Sequence, residues 1–410
     1  MRRLPAAAAA LALAALGLSA CQDPAGVGLG LIDEERSNPN VVVVSLDDVA
    51  LLDGETVAIG VADPSQQARN PEARVLAGSV VDPVFGDVRA VAYVDVLRPD
   101  GAVPEGTEAA DVRDVWLQLD RAYAYGDTTT ALPLELRAIE GQWEADTDYR
   151  ADTLFAVGDV LSTTTVVVAD TLRRFDLPAS WVRANAGLLV GSGDAFLNGF
   201  EGFALQVPPS FAPAPGVVFG FNTFRNEGSG LRVALAEDTL FFPLSEVFSS
   251  LATAPPAPSA TTLPARAQSQ SGLRFSADLT ALPRTAISKA NLRLPIDVSV
   301  ARVGPFVRPI EPFARLYGVR LDSDGEEVRE ALATLRRTGD EYVLDDTVPL
   351  TSVFQQYLVR PQSRDYVRYE VSPASDVVGS PATLNVLPAL RPAPGTAPRF
   401  VVTLVGGGAR

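Results

Sequence analysis

Histidine is absent from the 410 residues, and cysteine, methionine and lysine occur once each, as Cys21, Met1 and Lys289. Without imidazole or a second thiol, the chain has no His/Cys zinc or copper site, no Ser-His-Asp or Cys-His nucleophile, no imidazole acid or base, and no internal disulfide. Carboxylates, hydroxyls and arginine are what remains for chemistry. Basic charge is scarce too. The 34 Lys and Arg face 50 Asp and Glu, a formal net charge of −16, and such a surface argues against nucleic acid as a partner. The almost complete replacement of lysine by arginine fits either a GC-rich coding sequence or an acidic surface adapted to salt.

Long apolar runs are missing as well. The run from Leu4 to Leu18 is too short to span a bilayer as a helix. Placed after Arg2 and Arg3 and before Leu18-Ser19-Ala20-Cys21, it reads instead as a secretory signal over residues 1–20 ending in a lipobox. Small residues at 19 and 20 suit enzymes that must bring the Cys21 thiol to lipid. Each buried methylene contributes about 0.8 kcal/mol, so two or three acyl chains hold where one would not. Membrane lipid, reached through Cys21, is therefore the first expected partner. Residues 21–40 are poor in large apolar side chains and read as a solvated tether. Which face of the membrane the body occupies is open.

What is present in quantity is short β-type segments separated by Gly, Pro, Asp and Asn. Strands are expected at 41–44, 56–61, 88–96, 112–119, 134–139, 163–168, 203–207, 217–221 and 231–235. Thr253 to Ala265, TAPPAPSATTLPA, reads as a linker, because proline removes donors and stiffens the chain. After it a similar order of segments recurs: 272–278 parallels 90–95, 290–296 parallels 114–119, and 313–321 follows as 134–139 did. Each half also holds a strand running into a short amphipathic helix, at 174–183 and 346–358. The expectation is an all-β protein: two tandem jelly-roll-like β-sandwich domains, 41–252 and 266–410, with one short helix each.

Four residues on one segment are candidates for ligand binding. Val115, Leu117 and Leu119 take one face, leaving Trp116 and Gln118 on the other, where an aromatic ring could stack on a sugar. Tyr123 and Tyr125 either extend that platform or line a loop. The stretch from Trp143 to Tyr149 reads as a cap on the sandwich edge. Asp322, Asp324 and Glu326 around Gly325 place oxygens at alternate positions, as a structural calcium loop does, but a two-residue Asp-Gly turn between strands explains them at lower cost. No other cofactor is expected. Glu140, Glu144 and Asp146 could supply a glycosidase carboxylate pair, although 50 acidic residues make such proximity common.

Gly78-Ser-Val-Val-Asp-Pro-Val-Phe-Gly86, Cys21 with Asp23-Pro24, the strand Ile287-Ser-Lys-Ala-Asn-Leu292 and the closing Pro398-Arg-Phe-Val-Val-Thr-Leu404 together resemble a family of Bacteroidota outer-membrane lipoproteins that carry a domain of unknown function. Ser288 and Asn291 depart from that family's asparagine and glutamate. The resemblance implies a lipid-anchored, predominantly β protein at the outer membrane or cell surface, with no catalytic residues to carry over. The expected role is non-catalytic binding of a glycan or an envelope protein. A structural accessory of an outer-membrane complex is the alternative, and a carboxylate-based carbohydrate-active enzyme the third reading.

Overall fold

The computed structural model describes residues 40–52, 58–60, 74–82, 86–141, 143, 148–150, 152–211, 216–223, 228–254, 265–266, 272–308, 310, 312–359, 366–373, 386–387 and 397–405. The chain is all-β, with three short α-helices among these residues. Cys21, Glu144 and Asp146 lie outside them, as do residues 255–264 of the expected linker.

Eight antiparallel strands close a barrel in the order Val41–Leu52, Gly272–Ala277, Arg368–Pro373, Phe313–Leu321, Glu327–Thr338, Glu341–Leu344, Ile287–Pro295 and Arg399–Leu404, the last pairing with the first. Alternation sets the inside of this barrel. Val44 is buried while Val43 is 46 % exposed, and Leu273 and Phe275 point inward while Arg274 points out. Eight strands enclose a space just wide enough for side chains. Tyr342, Tyr369, Phe275 and Phe400 fill it, and helix Val348–Val359 seals it by setting Phe354 edge-on against Phe400, 5.0 Å between centroids.

The strand order bears out the jelly-roll expectation for this half: numbered in chain order, the eight strands run 1-8-3-6-5-4-7-2 around the wall, the order of a jelly roll whose two sheets have joined at their edges. One boundary is corrected: Val41–Leu52, placed by the sequence in the first domain, belongs with strands more than 200 residues later. The cause is mutual need. Four consecutive valines offer a row of donors and acceptors, and the edges of Gly272–Ala277 and Arg399–Leu404 require one.

Twelve of the remaining strands form one sheet, while Ala58–Gly60 pairs with Asp148–Arg150 and Ala265–Arg266 with Val386–Leu387 as separate two-stranded sheets. Six of the twelve, Thr239–Ala254, Gly230–Ala234, Asp114–Asp127, Gly216–Asn222, Arg74–Asp82 and Gly86–Val96, close on themselves, because Thr239–Ala254 pairs with Gly230–Ala234 along its first part and with Gly86–Val96 along its second. The switch falls at a register irregularity between Leu244 and Val247, the device by which long strands turn sheet corners. Gly216–Asn222 is buried on both faces, which explains its unbroken apolar sequence. Phe203–Gln206, Leu132–Ile139 and Val157–Val166 extend the sheet. Two helices, not the expected one, cover its core: Ala179–Val190 and Gly193–Gly199 bury Val182, Leu189 and Phe196. The parallel order of segments in the two halves therefore yields different topologies. Gly272–Ala277 has two strand neighbours, whereas its counterpart Gly86–Val96 has three.

The two parts meet through the segment after Ile287–Pro295. Phe306–Val307 adds to the edge of Asp114–Asp127, pairing with Asp127 and Gly126. No helix among the described residues is long and apolar enough to cross a membrane.

Candidate functional site

Trp116, Gln118, Tyr123 and Tyr125 all stand on Asp114–Asp127. Val115, Leu117 and Leu119 are fully buried beneath Trp116 and Gln118, as alternation predicts. Strict alternation would then send the two tyrosines to the core face. Instead Gly220 pairs with Tyr123 and Phe221 with Arg121, so Ala122 is an extra residue, Ala124 turns into the main core, and Tyr123 and Tyr125 join the face of Trp116.

The four residues share a face without forming a platform. The Arg174 guanidinium lies 3.9 Å from the Trp116 ring centroid, held there by the Asp114 carboxylate at 2.5 Å and by Asp176. That ring face is occupied by a cation from the neighbouring strand and is closed to a sugar. Gln118 Nε2 donates to the Gly228 carbonyl at 3.0 Å. Tyr123 packs so closely on Gly220 that an added methyl there would stand 2.6 Å from its ring. Tyr125 is 1 % exposed, and its hydroxyl donates to Asp82 Oδ2 at 2.7 Å.

Asp82 belongs to the Gly78–Gly86 stretch, and its carboxylate is fully buried. Arg308, from the far half of the chain, donates to both of its oxygens, at 2.7 and 2.9 Å. Phe306 meets Tyr125 edge-on at 6.1 Å. This buried triad fastens the two parts together. The charges are 226 positions apart, and the sequence carries no signal that pairs them.

The other candidates settle into local structure. Trp143 is buried in an aromatic cluster with Tyr93, Tyr149, Phe155 and Phe248 on the outer face of the sheet. Asp322 Oδ1 accepts the backbone N–H groups of Asp324 and Glu326, both at 2.9 Å, and Gly325 has φ 81°, closing the turn between Phe313–Leu321 and Glu327–Thr338. Among the described residues no group of three or more carboxylates is placed to hold a metal. Glu140 is exposed at the end of its strand.

Two features went unseen in the sequence. Asp95 is half-buried opposite the irregularity in Thr239–Ala254; burial pushes its carboxyl up to about 7, the hydrogen bond from the Val96 N–H opposes that rise, and the charge of Glu246 adds to it. The second is a cleft of about 440 Å³ on the outer wall of the barrel. It opens where Val41–Leu52 bulges: Asp47 pairs with Ser276 and Ala50 with Arg274, so Asp48 and Val49 together face Phe275. Asp48 adopts φ 53°, the one positive φ of a non-glycine among the described residues, at a cost of about 1 kcal/mol.

Asp48, Arg274, Ser276, Val367 and Arg368 line the cleft. Ser276 Oγ donates to the Asp48 carboxylate at 3.1 Å. Arg368 is ion-paired with Glu327 and with Glu370, and Glu370, 3 % exposed, also receives Arg329 at 2.8 Å. Arg274 is the cross-strand neighbour of Glu370. Both Glu370 oxygens are taken by the other two arginines, and Arg274 is exposed without a hydrogen bond or ion pair among the described residues. No family model, curated protein or solved structure matches the sequence.

Proposed function

We propose that the chain is a lipid-anchored envelope protein, held to the outer membrane through acyl chains on Cys21, and that its β body binds a glycan or a protein partner without catalysing a reaction. The lipobox and the resemblance around Gly78–Gly86 support the address. The observation that carries the binding role is the outer-wall cleft, with arginine, carboxylate and hydroxyl groups at its lining, on a barrel whose interior is filled by its own aromatic side chains. Contact with another molecule is then made on the outside of the barrel.

The test is extraction of the intact lipoprotein from its native envelope in mild detergent, followed by affinity capture and mass spectrometry. Acylated Cys21 and a stoichiometric partner or glycan are the expected results; an unmodified thiol at residue 21, or a clean monomer without bound material, overturns the reading. A second reading, an accessory of an outer-membrane complex, is favoured by Val157–Val166, which pairs on one side only among the described residues and so offers an edge to a neighbour. The carbohydrate-active enzyme rests on Glu140, Glu144 and Asp146, and a polysaccharide screen without turnover at any pH would remove it.

A further inference from the structure

We propose that the cleft beside Asp48 binds a sugar acid, its carboxylate on the Arg274 guanidinium and its hydroxyls on Asp48 and Ser276; this deepens, and rests on, the binding role proposed above. Arg274 carries the first half of the argument. The arginines around it are spent on Glu327 and Glu370, leaving at the cleft one guanidinium whose planar fork suits a carboxylate. Among the described residues Arg274 is exposed at the cleft without a carboxylate partner, and an anionic ligand would complement it.

Asp48 carries the second half. Its carboxylate lines the same cleft and accepts one bond from Ser276, so its remaining acceptor positions call for donors on the ligand. A phosphate dianion brings a second charge and at most one donor, and Asp48 would repel it. A monoanionic carboxylate on a polyhydroxylated ring presents its charge at one end and hydroxyl donors at the other, which matches both walls. The volume of about 440 Å³ lies within the usual range of small-molecule sites, about 300–1,000 Å³. The left-handed backbone at Asp48 is also retained at a position where glycine would be relaxed, as functional bulges often are.

Isothermal titration of the full-length protein in detergent with methyl β-D-glucuronide tests the assignment, with methyl β-D-glucoside, inorganic phosphate and L-alanine run beside it. The glucuronide is expected to bind saturably and at least ~10-fold more tightly than the other three. Arg274→Ala should weaken it by a similar factor. Arg274→Lys, which keeps the charge and loses the fork, should fall between. Asp48→Gly relieves the strained backbone, so it should melt no lower than the parent and still bind several-fold more weakly. Equal affinity for glucoside and glucuronide, tighter binding of phosphate or alanine, no saturable binding, or an unchanged affinity in Arg274→Ala would each overturn the proposal. A native-envelope partner captured despite such a result leaves the broader binding role standing.

Discussion

Two buried or half-buried carboxylates show how much a single side chain can set. Asp95 holds its proton in the folded protein up to about pH 7, against an ordinary value of 3.8. Between those values the folded state binds more protons than the unfolded chain, so this contribution is fully present below about pH 4 and lost as pH rises through 7. Asp95→Asn keeps an oxygen to accept the Val96 N–H and removes the charge. In urea titrations it should equal the parent near pH 4 and exceed it by about 2 kcal/mol at pH 8, the full shift being discounted for the solvent that reaches a half-buried group. Parallel pH profiles would show that the carboxyl titrates normally. Asp82 is the opposite case, a charge stabilised by its partner. Arg308→Ala leaves it buried and unpaired and should cost about 3–5 kcal/mol, whereas Tyr125→Phe, which removes one hydrogen bond, should cost about 1 kcal/mol. Chemical denaturation that ranks Tyr125→Phe as the more damaging would contradict this geometry.

At the scale of elements, alternation and helical spacing were legible and irregularities were not. The burial of Val115, Leu117 and Leu119 could be read directly, because a period of two needs no tertiary information. The bulge at Ala122, which turns Tyr123 and Tyr125 to the face of Trp116, is imposed by the partner strand and leaves no mark in the period. The same holds for Thr239–Ala254, the longest strand among those described and unread in the sequence, whose Phe-Phe-Pro and Ser-rich runs follow no single alternation because it serves two neighbours in turn. Helix Val348–Val359 was legible from its amphipathic spacing. It starts where the Asp346 carboxylate accepts the Val348 N–H at 2.9 Å. Asp346→Ala should therefore lower the stability of the barrel by about 1 kcal/mol, read as a shift of the denaturation midpoint with unchanged slope. Gly78 belongs to this scale as well. With φ 141° and the Val217 carbonyl oxygen 2.4 Å from where a Cβ would stand, it lets two strands approach, a structural reason for a glycine at the head of the Gly78–Gly86 stretch.

For the whole molecule the decisive feature is the return of the first described strand to the last. Cutting the chain at the proline-rich linker gives 266–410, which lacks Val41–Leu52 and leaves two strand edges bare. That fragment should aggregate or show no cooperative melting. Joining residues 40–52 back onto it should restore a sharp transition by circular dichroism. Cooperative folding of 266–410 alone would mean that the barrel closes without its eighth strand.

The sequence by itself determined the chemistry this chain lacks, its acidic surface, its all-β class and the faces of its regular strands, since each follows from residue identity or from a repeat of two. Tertiary structure alone decided which strands are neighbours, and with them the barrel, the Asp82–Arg308 bond between distant segments, the Arg174 cover over Trp116 and the cleft at Asp48. Strand pairing depends on edges that meet only after the chain has folded back over hundreds of residues, and no local pattern records the partner.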